Sequence, residues 1–305
     1  MSKKIITVKG QIVPEDMGLT LPHEHILVDF IGAEKTGKHR YVAQEVIDVM
    51  LPYLMEIKEA GVKTFVECTP MYLARDVEIL RRLSDLTGLH ILTNTGLYKE
   101  PYLPSDSFTM TAEELAEKWI MEYEEGIDGT EIRPGFIKTA VNPGELVPIQ
   151  RKVIKAAAIT SASTGLTIAT HTGAGVAAME VLDILEEDGV NPDKWIYVHA
   201  QNEENHALII EIAKRGAWIE LDGIGPGKEE KHLLPLLKLL DAGFEKKILL
   251  SQDAGWYRAG EVNGGVKRPY TYIFSDFFPL ARERGMTERL INTIMVENVS
   301  RAFAI

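Results

Sequence analysis

A chain of 305 residues with 45% apolar side chains can bury a large core, and an α/β barrel, which runs to about 250 residues or more, holds it as one domain. A net charge of −12 with no long basic run argues against nucleic acid as a partner. The single cysteine, Cys68, excludes an internal disulfide, and no stretch reaches the roughly 20 apolar residues of a membrane helix.

Short β-branched runs alternate with longer segments of helical period, the pattern of βα units around a parallel sheet. The spacing predicts a first strand over 21–29 and a helix over 42–60, whose Val46, Met50, Leu54 and Ile57 share one face. A second strand is predicted over 62–68, with a helix over 75–87. Cys68 ends that strand as a small buried residue. The third strand covers 90–95 and leads through a loop to a helix near 111–125. The fourth covers 134–139, with a helix near 147–163. The fifth covers 166–170, with a helix near 174–188. The sixth covers 195–198, with a helix near 203–214. The seventh covers 217–221, with a helix near 229–241, and the eighth covers 247–251. Two long loops, 97–110 and 254–270, follow strands three and eight.

An open doubly wound sheet and a closed barrel both accommodate eight parallel strands. Polar residues at the ends of strands one, four, five, six and eight decide for the barrel, because only a closed ring turns all of these ends toward one mouth. No Gly-x-Gly-x-x-Gly follows the first strand, which weakens a dinucleotide-binding fold. The expected fold is therefore a (β/α)8 TIM barrel in a single domain, 1–305.

His23-Glu24-His25 lies near the end of a short apolar run in the first strand, and residues two apart on a strand face one way, so both imidazoles reach one point. His171 and His199 end strands five and six, Lys138 ends strand four, and Asp253 follows strand eight. Imidazoles and carboxylates suit zinc, manganese, iron or cobalt. Lys138 belongs beside two cations only if neutral or converted to an anion, as carboxylation would do; the alternative is a plain lysine paired with Asp253.

The stretches Thr20-Leu21-Pro22-His23-Glu24-His25, Thr170-His171-Thr172-Gly173, Ser251-Gln252-Asp253 and Glu297-Asn298-Val299-Ser300-Arg301-Ala302-Phe303 resemble the phosphotriesterase-related family of the amidohydrolase superfamily. The resemblance implies a (β/α)8 barrel with two divalent metal ions, zinc foremost and manganese, cobalt or iron as alternatives. It implies that His23, His25 and Asp253 hold the more buried ion and His171 and His199 the more exposed one. N6-carboxylated Lys138 and a hydroxide would bridge them. It further implies metal-assisted hydrolysis, with Asp253 as proton acceptor and Tyr98, after strand three, contacting substrate; Tyr98 could equally pack under its loop. A homodimer is the assembly expected from relatives.

The family contains lactonases, phosphotriesterases and other ester hydrolases, and a small lactone or carboxylic ester is the expected substrate. Gly223 stands where lactonases for acyl-homoserine lactones carry arginine, Gln252 where relatives often have His or Asn, and Val299 where proline is common. In the strand-eight loop Arg258, Lys267 and Arg268 suggest an anionic substrate group, such as the phosphate of a sugar lactone, or are simply solvated. Trp256 and Tyr257 either wall an apolar pocket or pack the loop. A phosphotriesterase or aryl esterase is the alternative, and a non-catalytic metal-binding barrel the alternative of another class. The basic start has no long apolar run behind it, so it does not read as a secretory signal, and a cytoplasmic protein is expected.

Overall fold

The computed structural model describes residues 3–305. A hairpin comes first, β1 (Ile5–Thr7) and β2 (Gly10–Ile12), which the sequence reading did not foresee as strands. Then β3 (Thr20–Val28), β4 (Thr64–Glu67), β5 (His90–Leu92), β6 (Asn94–Thr95), β7 (Phe136–Ala140), β8 (Ile168–His171), β9 (Trp195–Val198), β10 (Trp218–Leu221), β11 (Ile248–Leu250) and β12 (Gly255–Arg258) build the barrel. All of these neighbours pair in parallel. The third stave is broken at Thr93 into β5 and β6, which join the two halves of the sheet.

The eighth stave differs from the reading. It pauses after Leu250, and residues predicted as loop resume as β12 beside β3. There Asp253 N–H donates to His23 O and His25 N–H to Ala254 O, both at 3.0 Å, closing the ring. Gly255 is essential to the closure: at φ +91° a Cβ would lie 1.9 Å from His25 O.

Helices α1 (Ala43–Glu59), α2 (Val77–Thr87), α3 (Ala112–Glu124), α4 (Pro148–Thr164), α5 (Gly175–Glu187), α6 (His206–Lys214) and α7 (Glu229–Asp241) surround the strands. Val46, Met50, Leu54 and Ile57 bury the inner face of α1 as their spacing predicts. Asp76 caps α2 by accepting from Glu78 N and Ile79 N, and Thr111 forms a capping box with Glu114 on α3. Short helical segments α8 (Phe278–Glu283), α9 (Glu288–Asn292) and α10 (Val299–Phe303) finish the chain.

Two apolar clusters result. One fills the layer between strands and helices. The other is the barrel interior, where Val66, Leu92, Phe136, Ala169, Ile196, Trp218 and Leu249 meet Ile5 and Phe303. Phe303 packs edge-on to Phe136, and Lys4 and Ile305 exchange two backbone hydrogen bonds, so the lower end is plugged. The polar side chains sit two residues further along the same inward rows: Lys138 above Phe136, His171 above Ala169, and Glu220 above Trp218.

Candidate metal centre

Four imidazoles, Lys138 and Asp253 line one cavity of about 390 Å³ of empty space at the upper mouth. The rings of His23 and His25 are 5.5 Å apart, those of His23 and His199 5.2 Å, and those of His171 and His199 4.4 Å. Donor atoms of His23, His25 and Asp253 lie within 4.8 Å of one another. His199 and Asp253 both hold left-handed backbone, at φ +63° and +48°. Such conformations cost of order 1–3 kcal/mol and persist where surrounding contacts enforce them.

Three of the four imidazoles are oriented from behind by an oxygen, while His171 has Lys99 Nζ 3.1 Å from its Nε2. His23 Nδ1 donates to Glu220 Oε2 at 2.9 Å, with Asp222 Oδ2 at 3.4 Å. That leaves Nε2 facing Lys138 Nζ at 3.5 Å and Asp253 Oδ1 at 4.0 Å. His25 Nδ1 donates to Thr69 Oγ1 at 2.8 Å, whose hydroxyl in turn donates to Glu67, and His25 Nε2 faces Asp253 Oδ1 at 3.1 Å. His199 Nδ1 donates to Asp222 Oδ1, and its Nε2 lies 2.7 Å from His171 Nδ1. Asp222 thus serves two histidines from one buried position, and such outer partners fix tautomer and ring orientation.

Burial holds the His25 imidazole down at about 4 against the pull of Asp253. Burial, His199 and Lys99 press His171 well below its ordinary range. Burial thus disfavours the protonated form of both rings. Burial and Lys138 oppose protonation of His23, but Glu220 and Asp222 outweigh them and raise it to about 10. Burial also opposes ionisation of Asp222, yet His199 and His23 win and keep its carboxyl well below the usual range.

This donor set fits two divalent cations. Nitrogens of His23, His25 and His199 converge with a carboxylate, their second nitrogens held by Glu220, Thr69 and Asp222. Lys138 is 2% exposed, and among the described residues no carboxylate lies within ion-pair distance of its ammonium. The pairing with Asp253 weighed from the sequence is therefore not formed. A buried ammonium beside imidazoles without a paired carboxylate is costly.

The Phosphotriesterase family profile matches residues 3–303. The chain belongs to the phosphotriesterase family. It is 29% identical over 295 residues to the phosphotriesterase homology protein of Escherichia coli K12, covering 94% of this chain and 98% of that protein. It is 30% identical over 311 residues to the aryldialkylphosphatase of Saccharolobus solfataricus, covering 97% and 98%. It is 29% identical over 341 residues to the N-acetyltaurine hydrolase of Tetraodon nigroviridis, covering 98% and 97%. As a phosphotriesterase-family protein, the chain is an enzyme of the hydrolase class, in a family that is metal-dependent in general.

The remaining residues singled out from the sequence separate clearly. Tyr98 lines the cavity, with its hydroxyl 2.9 Å from His171 Nδ1. Burial raises that phenol, which stays neutral and able to donate. Gly96, at φ +110° with Lys138 O 2.2 Å from a would-be Cβ, lets this segment lie against β7. Trp256 also lines the cavity, 5.3 Å from the His25 ring and stacked on Phe30. Tyr257 is buried outside the cavity and packs the loop. Arg258 donates to Val266 O, and Lys267 donates to Gly265 O at 2.7 Å, both within their own loop. Neither lines the cavity, so these two do not make the anion pocket suggested by the sequence. Arg268 donates to Asp253 O at 2.6 Å and Gln252 O at 2.8 Å, bracing the turn that carries Asp253.

Sequence reasoning missed Glu220, Asp222 and Thr69 as supports. A signal existed: Glu220 and Asp222 are acids at alternate positions of an apolar strand. Glu24 faces away from the histidines, as the strand period requires. It accepts from Ser251 Oγ, Gln252 N and Ala254 N, and so holds the strand-eight turn.

Proposed function

We propose that this chain is a binuclear-metal-dependent hydrolase that opens a small lactone or cleaves a carboxylic ester. The observation carrying the reading is the convergence of His23, His25, His171, His199 and Asp253 around Lys138 at one barrel mouth. His23, His25 and Asp253 would hold one ion, His171 and His199 the other, and N6-carboxylated Lys138 would bridge them. Zinc leads, with manganese, cobalt and iron as alternatives. Two such ions supply hydroxide near neutral pH and an electrophile for the scissile carbonyl.

The chain's own residues do the rest. Asp253 Oδ1, 3.1 Å from His25 Nε2, accepts the proton released on attack and returns it to the leaving oxygen. Tyr98, as a neutral phenol beside His171, donates to the developing oxyanion. Phe30, Leu73 and Trp256 exclude water on one side and suit an apolar acyl portion. Among the described residues no serine lines the cavity, and burial raises the Cys68 thiol well above its ordinary range, so neither type of side-chain nucleophile competes.

The phosphotriesterase alternative draws support from the aryldialkylphosphatase relative, and an amide substrate from the N-acetyltaurine hydrolase relative. The metal-loaded protein is to be assayed in parallel on γ-lactones, aryl and alkyl carboxylic esters, a dialkyl aryl phosphate and N-acyl amino acids. The expected result is a higher kcat/KM on a lactone or carboxylic ester than on any phosphotriester or amide, abolished by chelation. Turnover confined to the phosphotriester or the amide would refute it.

A further inference from the structure

Beside the cavity, on the side of His171 and His199, a second hollow opens between β10, α7 and the strand-eight loop. The two spaces share His171, His199 and Asp253. Their walls are chemically opposite. Around the first, aromatic rings follow one another from His171 through Tyr98, Tyr102, Phe30 and Trp256 to His25, with centroid spacings of 5.2, 5.9, 5.5, 5.4 and 5.3 Å. The second is lined by Lys228, Lys231 and Arg268, and its only carboxylate is the shared Asp253.

That cluster stands out in a chain of net charge −12. Nearby acids are engaged elsewhere: Glu229 with Tyr272, Glu230 with Arg284, and Glu203 with Gly175 N. Among the described residues the Lys228 ammonium has no hydrogen-bond or ion-pair partner, and the Lys231 ammonium has only Asn202 Oδ1, a neutral acceptor at 2.6 Å. Gly223 keeps the floor open, since a Cβ there would already lie 3.3 Å from Gln201 Nε2.

We infer that this hollow is a subsite for an anionic group of the substrate, and that the substrate is an amphiphilic ester or lactone. Its apolar part lies along the aromatic arc, its carbonyl beside His171 and His199, and a carboxylate, sulfonate or phosphate between Lys228 and Lys231. The inference rests on the ester-hydrolase reading above, and the two can fail separately. Like-charge repulsion from the acidic surface makes a local cationic pair the natural means of drawing an anion to this edge.

The test pairs monoethyl succinate with ethyl butyrate on the metal-loaded enzyme and on K228Q, K231Q and the double variant. K214Q, on the outer helix α6, is the charge-matched control. The wild type is expected to favour the anionic ester. The double variant should lower the anionic-to-neutral kcat/KM ratio about tenfold or more, chiefly through KM, the size of a lost charge-assisted hydrogen bond. An unchanged ratio, or the same fall in K214Q, overturns the subsite. If neither ester is turned over, a ligand-observed NMR titration with methanesulfonate, a poor metal ligand, decides the subsite. Binding to wild type that the double variant loses supports it; no binding to wild type, or equal binding to both, overturns it.

Discussion

Asp222 supports two of the four clustered histidines from one buried position. It accepts from His199 Nδ1 and the His199 N–H, lies 3.4 Å from His23 Nδ1, and receives Gln201 Nε2 at 3.0 Å. D222N keeps the shape but replaces an acceptor oxygen with a donor amide and removes the charge. Metal affinity, read by chelator competition, should fall about 10–100-fold, while the fold is retained by circular dichroism. Unchanged affinity would show that the histidines orient themselves. The candidate ligands were legible in the sequence because they interrupt or follow short apolar runs, where a polar residue has no packing reason to be. Glu220 and Asp222 were hidden because a buried acid on a strand looks the same whether it supports a ligand or ends a sheet. Only the inward row shared with Trp218 assigns them. Of Arg258, Lys267 and Arg268, which the sequence left open between an anion pocket and solvated charge, two stay within their own loop, because sequence proximity in a loop says nothing of where guanidinium and ammonium groups point. One of the three reaches the mouth, and it is spent on backbone carbonyls.

At the level of elements, β3 and β4 are tied by Glu67, which accepts from Ile26 N, Thr69 N and Thr69 Oγ1. Burial outweighs those donors and raises its carboxyl from 4.5 to about 7. A carboxyl raised in the folded state contributes stability that is complete below its unfolded value and is lost as pH rises through the folded one. The melting-temperature gap between wild type and E67Q should therefore narrow from about pH 5 to about pH 8. A gap that widens over that range would contradict the assignment. Strand and helix positions followed from period and composition, since parallel strands buried on both faces read as short apolar runs. The hairpin β1–β2 and the strand β12 did not. Three-residue strands fall below any period, and β12 passes through positive φ at Gly255 and Trp256, where the chain reads as turn.

Over the whole molecule, the barrel separates a dry lower end from a polar mouth. Phe136, Trp218 and Phe303 fill the one; histidines, Lys138 and Asp253 occupy the other. The closed ring was readable from the convergence of strand ends, but the manner of its closing was not, because it depends on backbone contacts between residues more than two hundred positions apart. The four tryptophans sample this gradient. Trp119 and Trp195 lie in the outer layer, Trp218 in the plugged interior, and Trp256 alone at the mouth, its indole N–H on Asp253 O at 2.9 Å. Its position makes it a built-in optical reporter. A paramagnetic ion such as cobalt(II) arriving at the histidines should quench its emission and leave the other three indoles bright. W256F should then titrate with the ion by absorbance yet stay dark to it in fluorescence, and equal quenching in both proteins would place the ion elsewhere.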